Sequence, residues 1–239
     1  MTSDYRNSHL TKGNTYNDSL ANSPWTSYMT RMETHIVTSI LSSIGEIPRS
    51  LDFACGTGRL TKTIEKFADN NIALDVSQSM VSQAKKECKK TKFIIGDITK
   101  EKIDIDPVNL ITSFRFFGNA QDELRIAVLE ALNRLLVDDG YLLINNHRNP
   151  WAFSSISLRL AGKNEGMDLS YFKLKSLLRQ CGFTVKKTYG IGWWVARSKF
   201  KTEAVLQSRT GRFLEPLSNF PPVIPICPDM VIVAQKLKT

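Results

Sequence analysis

Residues 50–61, Ser-Leu-Asp-Phe-Ala-Cys-Gly-Thr-Gly-Arg-Leu-Thr, constrain this chain more than any other stretch. The apolar run Leu51, Phe53 and Ala54 reads as a buried strand. It breaks at Gly56 and Gly58, and Leu60, Ile64 and Phe67 then repeat at helical spacing. Strand, glycine turn and helix in that order bring bare backbone to the carboxyl end of a sheet, where a ligand can sit against it. A dinucleotide-binding loop would carry a third glycine where Thr61 stands. Instead an acid, Asp52, precedes the glycines on the strand itself.

The chain around this loop alternates strand and helix. Met29, Met32, Ile36, Val37, Ile40, Leu41 and Ile44 form one apolar helical face that Gly45 closes. Strands are expected at Asn71–Asp75, Lys92–Gly96, Val108–Phe114 and Tyr141–Ile144, the last entered through an Asp138-Asp139-Gly140 turn. Ser77 is placed to cap a helix that turns Met80, Ala84 and Cys88 inward. Lys85, Lys86, Lys89 and Lys90 share its outer face, more simply a solvated helix surface than a nucleic-acid stripe. Leu124, Val128, Ala131, Leu132 and Leu135 mark the helix after the fourth strand. Such alternation calls for a doubly wound, mostly parallel α/β sheet, with ligands at the carboxyl ends of its strands. The chemically suggestive residues all fall there: Ala54–Gly58, Asp75, Asp97, Ser113–Arg115 and Asn145–Arg148.

The last third departs from this rhythm. Residues 149–168 read as a connection with one helical turn. Asp168 or Ser170 can cap a helix through Leu174, Leu177, Leu178 and Cys181, closed by Gly182. Phe183–Tyr189 and Met230–Ala234 are a sixth and a seventh strand. Between them, residues 191–229 hold Trp193-Trp194, a basic helical stretch near 197–209 and the proline-rich Pro216–Pro228. A segment of that length without a structural duty tends to carry function, which makes it a cap over the site. Residues 1–27 are polar yet hold Tyr5, Tyr16 and Trp25, an aromatic content that suits a lid better than a disordered tail. The expected organisation is an N-terminal segment 1–27 and one domain, 28–239, with the 191–229 insertion.

Composition narrows the classes further. No apolar run approaches the ~18 residues of a membrane span, and residues 1–30 lack a secretory h-region, so a cytoplasmic protein is expected. The four cysteines, Cys55, Cys88, Cys181 and Cys227, form no Cys-x-x-Cys pair and suit single buried thiols in a reducing compartment. A formal charge of +9 favours anionic partners, whether nucleic acid, phosphorylated metabolites or glycans.

The ordered motifs of residues 28–148 resemble the class I S-adenosylmethionine-dependent methyltransferase domain. Leu51-Asp52-Phe53-Ala54-Cys55-Gly56-Thr57-Gly58 is similar to its glycine loop, with Ala54 in the first glycine slot. Ala73-Leu74-Asp75-Val76-Ser77-Gln78-Ser79-Met80 resembles the second-strand motif, and Gly96-Asp97-Ile98 the third. Leu110-Ile111-Thr112-Ser113-Phe114 fills the fourth-strand position. The resemblance implies a seven-stranded sheet ending in an antiparallel pair, with S-adenosylmethionine as cofactor. It implies that Asp75 takes the ribose hydroxyls, that Asp97 and the Ile98 amide take the adenine, and that the Ala54, Gly56 and Gly58 loop meets the methionyl part. Asp52 then orients the loop, while Val76, Met80, Ser113 and Tyr16 complete the cofactor set. An ionised carboxylate suits two neighbouring hydroxyl donors. Either acid alone would also fit a strand-end turn; both, correctly spaced after the loop, favour the ligand.

Methyl transfer requires that an acceptor be held in line and, where it carries a proton, deprotonated. His147, directly after the fifth strand, is the candidate base, or else a turn-capping imidazole. Arg115 and Arg148 could hold an anionic acceptor as planar forks, or serve structural ion pairs. Phe116 and Trp193 offer aromatic walls. After the fourth strand there is no Asn/Asp-Pro-Pro-aromatic sequence, no Pro-Cys, no glutamate pair and no metal-binding acid cluster. These absences point away from DNA bases, cytosine carbon, protein arginine and catechol acceptors, and no metal is expected. The expected reaction is methylation of an O or N nucleophile on a small molecule, a sugar or glycan, or a natural product. The alternatives are an RNA methyltransferase, which the positive charge favours, and a non-catalytic S-adenosylmethionine-binding protein of the same fold. A monomer or a homodimer fits equally.

Overall fold

A computed structural model describes residue 5 and residues 24–160, 162, 169–194 and 208–238. The sequence-expected features at Tyr16, at Asp168 and along most of 197–209 lie outside the described residues. In chain order the elements are α1 (Pro24–Ile44), β1 (Ile47–Phe53), α2 (Thr61–Ile64), β2 (Ala68–Asp75), α3 (Gln78–Glu87) and β3 (Thr91–Ile95). They continue with β4 (Val108–Ser113), α4 (Asp122–Leu135), β5 (Leu136–Asn146), α5 (Phe153–Leu160), α6 (Tyr171–Gln180) and β6 (Phe183–Ile191). Helix α7 (Arg209–Leu214), two 3₁₀ turns (Glu215–Asn219 and Ile224–Ile226) and β7 (Asp229–Lys236) complete them.

The strands form one sheet in the order β3-β2-β1-β4-β5-β7-β6, with β7 antiparallel to both neighbours and the other pairings parallel. Because successive strand residues point to opposite faces, Ile111, Leu142 and Ile232 join the core under α4 and α6. Leu110, Leu143, Val231 and Val233 join the core under α1. Both faces are therefore buried, as the near-continuous apolar strands require. The winding reverses between β1 and β4, which opens a crevice at their carboxyl ends.

Three local expectations change. The helix after the glycine loop is only Thr61–Ile64; Lys66 and Phe67 bond back three residues rather than four, and β2 begins at Ala68, paired with Ile47. Asp138-Asp139-Gly140 is not a turn before the fifth strand but an irregularity inside it. The register shifts between the Val108–Leu136 and Leu110–Tyr141 pairs, and Asp139 takes φ 60°. Its carbonyl accepts from Gln235 Nε2 at 2.7 Å, while Lys236 Nζ donates to the Leu136 carbonyl at 2.8 Å, which fixes the bulge to β7. Residues 149–168 hold more than one turn, since α5 runs for eight residues. Ser77 and Ser170 cap α3 and α6 through Met80 N–H and Lys173 N–H.

Candidate active site

At the crevice the chain after each strand turns in a way its sequence explains. Ala54, Gly56 and Gly58 all have positive φ, at 55°, 55° and 81°. A side chain on Gly58 would stand 2.9 Å from Ala84 Cβ, so glycine there lets the loop lie against α3. A side chain on Gly56 would meet nothing within 4 Å and would project into open space. Ala54 therefore carries the strain that a glycine in its place would avoid.

Beneath the loop, Asp52 is buried and accepts hydrogen bonds from Thr61 Oγ1 at 2.5 Å and Thr112 Oγ1 at 2.7 Å. Burial pushes its carboxyl up to about 6, against those hydroxyls and the nearby Arg59, which lower it. Asp75, at the end of β2, accepts from Gly56 N–H at 2.8 Å and Ser77 N–H at 2.9 Å. Desolvation raises its pKa, and those backbone donors partly offset the rise. Asp97 accepts from the backbone and hydroxyl of Thr99 at 2.9 and 2.6 Å, with Lys100 Nζ 3.8 Å away.

One cleft joins these turns. It is lined by Phe53, Ala54 and Gly56 after β1, by Asp75, Val76 and Met80 after β2, and by Gly96 and Asp97 after β3. Phe114, Arg115 and Phe116 close it on the β4 side. Counting its open mouth it encloses about 760 Å³ of free space. Tyr5 reaches the same cleft: its ring meets Phe116 edge-on at 5.7 Å and its hydroxyl donates to the Arg115 carbonyl at 3.2 Å. Arg125, fully buried, donates to the Phe117 carbonyl at 2.8 Å and pairs with Asp122, which holds the post-β4 loop in place.

A side pocket shares Ala54, Gly56, Phe114 and Arg115 with this cleft and adds Thr57 and Arg59. Its floor is a network that the sequence reading missed. Glu33, wholly buried on α1, accepts from Asn145 Nδ2 at 2.6 Å. Its other oxygen lies 2.7 Å from Arg59 Nη2 and 3.8 Å from Arg115 Nη2. Asn145 Oδ1 accepts from Arg115 N–H at 2.6 Å, holding Arg115 at φ 63°. Arg59 Nη1 and Arg115 Nε are buried without a hydrogen-bond partner in the protein. Two guanidiniums sharing one carboxylate, each with an unmet donor, form an anion receptor. The available signal was Glu33 itself, an acid between Met29, Met32 and Ile36, Val37 on an otherwise apolar face.

The remaining expected site residues are spread around this centre. Ile98 packs against the main core beyond Asp97, and the Ser113 hydroxyl is buried with no partner. The His147 imidazole lies against Gly118, where an added Cβ would stand 3.1 Å from the ring. Arg148 N–H donates to Asn146 Oδ1 at 3.1 Å. Trp193 does not line the cleft; its indole donates to the Leu214 carbonyl at 3.1 Å, inside the late insertion. That insertion is tied to α1 by Glu215, which accepts from Tyr28 Oη at 2.5 Å, Trp194 Nε1 at 2.9 Å and Gly192 N–H at 3.0 Å. Burial, then the Glu215 charge, raises the Tyr28 pKa, so this phenol is a fixed donor. Burial likewise raises Cys88 and Cys227 to about 12, and all four cysteines are free thiols. Among the described residues no three His, Cys, Asp or Glu side chains gather as a metal site, and no helix is long and apolar enough to cross a membrane.

Comparison with known proteins agrees with this geometry. Residues 51–140 match the family model described as a methyltransferase domain, and no curated protein matches the chain. Among solved structures, magnesium protoporphyrin IX methyltransferase (ChlM) from Synechocystis PCC 6803 with bound S-adenosylhomocysteine superposes with a TM-score of 0.66 at 13% identity, over 97% of each chain. A methyltransferase from Thermotoga maritima described as a possible histamine N-methyltransferase gives 0.62 at 16%, over 95% of this chain and 98% of that one. The N-methyltransferase NodS from Bradyrhizobium japonicum WM9 gives 0.57 at 14%, over 87% and 97%. At these identities the likeness is one of fold. The chain has the class I S-adenosylmethionine-dependent methyltransferase fold. The methyltransferase-domain match over residues 51–140 supports methyl transfer from S-adenosylmethionine.

Proposed function

We propose that this enzyme methylates an O or N nucleophile on a small molecule, a sugar or glycan end, or a natural-product scaffold. The observation that carries this reading is the single cleft shared by Gly56, Asp75 and Asp97, walled on the β4 side by Phe114 and Phe116. These residues fit the cofactor: an uncrowded Gly56, a carboxylate at the end of β2 and a second after β3 suit a nucleoside with two vicinal hydroxyls and an exocyclic amine. Asp75 takes the ribose, Asp97 and the Ile98 amide the adenine, and Val76 and Met80 pack on the base. The side pocket is assigned to the amino-acid tail, whose carboxylate meets the unmet donors of Arg59 and Arg115. That moves Arg115 from the acceptor to the cofactor.

Bound S-adenosylmethionine supplies an electrophilic methyl group. The chain's own part is to position the acceptor, exclude water and take up a proton. Phe116, with Tyr5 against it, gives the acceptor an apolar wall. His147 and Arg148, after β5, are the acceptor-side base and anion contact. Residues 1–27 act as a lid, of which Tyr5 is the described point of closure, and 191–229 as a cap held on α1 by Glu215.

The test is incubation with methyl-labelled S-adenosylmethionine and extracts separated into RNA, glycan and small-metabolite fractions. Label in the small-metabolite or glycan fraction is expected. Label confined to RNA would instead establish the alternative that the +9 charge favours. On the acceptor so found, His147→Ala should lower turnover about 10²- to 10⁴-fold with cofactor affinity unchanged. Full turnover in that variant would remove His147 from the chemistry.

A further inference from the structure

Helix α5 is amphipathic in the wrong sense for a protein in water. Ser154 and Ser155 are buried, at 3% and 2% exposure. Phe153, Ile156 and Leu160, spaced i, i+3, i+7 on one face, are 69%, 40% and 85% exposed. Local anchors hold the helix this way round. Ser155 Oγ donates to the Asn149 carbonyl at 2.8 Å, and Asn149 Nδ2 donates to the carbonyls of Pro225 and Cys227 at 2.7 and 2.8 Å. Turning the apolar face inward would break the Ser155 bond to this anchored loop. The patch extends onto α6: Trp151 and Phe172, each about half exposed, meet edge-on at 5.5 Å. Beyond Phe172 the same face of α6 becomes basic, with exposed Lys175 and Arg179, and Arg159 stands exposed on α5. Asp122, beside α6, is held by Lys173 at 2.7 Å and by Arg125.

We propose that this face is a docking surface for an anionic lipid bilayer, in which Phe153, Ile156, Leu160 and Trp151 enter the headgroup–acyl boundary while Arg159, Lys175 and Arg179 meet anionic headgroups. Contiguous apolar area of this kind is rare on a protein surface without an occupant. An exposed Phe/Leu/Trp face flanked by Lys and Arg is the composition that interfacial helices use. Charge decides between a bilayer and a second copy of the chain. A two-fold pairing of α5 would set the Arg159, Lys175 and Arg179 rims of two +9 proteins against each other, whereas an anionic leaflet attracts each cation. Both the patch and the cleft lie at the carboxyl end of the sheet, since α5 follows directly from β5.

The experiment is co-sedimentation of the full chain with vesicles of phosphatidylcholine alone and with about 30 mol % phosphatidylglycerol. Binding to the anionic vesicles is expected, weakened at about 0.5 M salt. Phe153→Ser with Leu160→Ser should lower the partition coefficient about tenfold or more. Lys175→Glu with Arg179→Glu should abolish the preference for anionic lipid. Circular dichroism checks folding, and Leu160→Ser alone, the most exposed change, serves where the double variant does not fold. Absence of sedimentation with either vesicle would overturn the proposal, as would unchanged binding in the folded Ser variant. A dimer in light scattering that those Ser changes dissociate would assign the face to a second copy instead and equally refute it.

Discussion

The two sides of the cleft are built by different means. On the β1–β2–β3 side the contacts are short in sequence and made largely by backbone: Gly56 N–H to Asp75, Ser77 N–H to Asp75, Thr99 to Asp97. On the β4–β5 side they are made by side chains drawn from far along the chain: Glu33 to Asn145 and Tyr5 to the Arg115 carbonyl. A wall of the first kind can persist while sequence drifts, because backbone donors do not mutate. The second depends on every partner being present. The difference suits a site with one constant ligand and one variable one.

The largest test of this contrast is Glu33→Gln. Removing the buried charge that two partly buried guanidiniums share should destabilise the fold by about 3–5 kcal/mol in urea unfolding. A loss under about 1 kcal/mol would show that the far side does not depend on its buried charge. Asp52→Asn should act oppositely. An acid whose native pKa is raised contributes stability that is full below its unfolded value of 3.8 and lost as pH rises through about 6. The asparagine escapes that loss, so the variant should be more stable than wild type by about 2–3 kcal/mol at pH 7 and no more stable near pH 4. Melting temperatures across that range read it directly, and a pH-independent difference would contradict the buried-carboxylate account. The smallest effect is Ala54→Gly. Relief of the positive φ, less the added entropy of the unfolded chain, should leave a gain of about 0.5–1 kcal/mol. A loss of stability would mean that the alanine methyl is held by packing worth more than the strain.

The same contrast explains what could be read from the sequence. The glycine loop, Asp75, Asp97 and the alternation of strand and helix follow from local pattern, because turn geometry and strand ends are written within a few residues. Glu33, Arg59 and the reorientation of Arg115 were not legible, since their meeting depends on α1 crossing the ends of β4 and β5, which no local period encodes. The α2 helix came out shorter than its apolar spacing suggests, because β2 must start at Ala68 to pair with Ile47. The Asp138-Asp139-Gly140 signal was a turn signal read correctly in chemistry and wrongly in context: β7 captures it as a bulge. Helix α5 went unread beyond one turn because its apolar residues point to solvent, the reverse of what a core-seeking pattern assigns.

Titration calorimetry with S-adenosylhomocysteine on the wild type and on Asp75→Ala tests the central claim most directly. One ligand per chain is expected, and the variant should bind about 10- to 100-fold more weakly, the loss of hydrogen bonds to a charged group. Equal affinity in the two proteins would place the nucleoside somewhere other than the cleft that Gly56, Asp75 and Asp97 enclose.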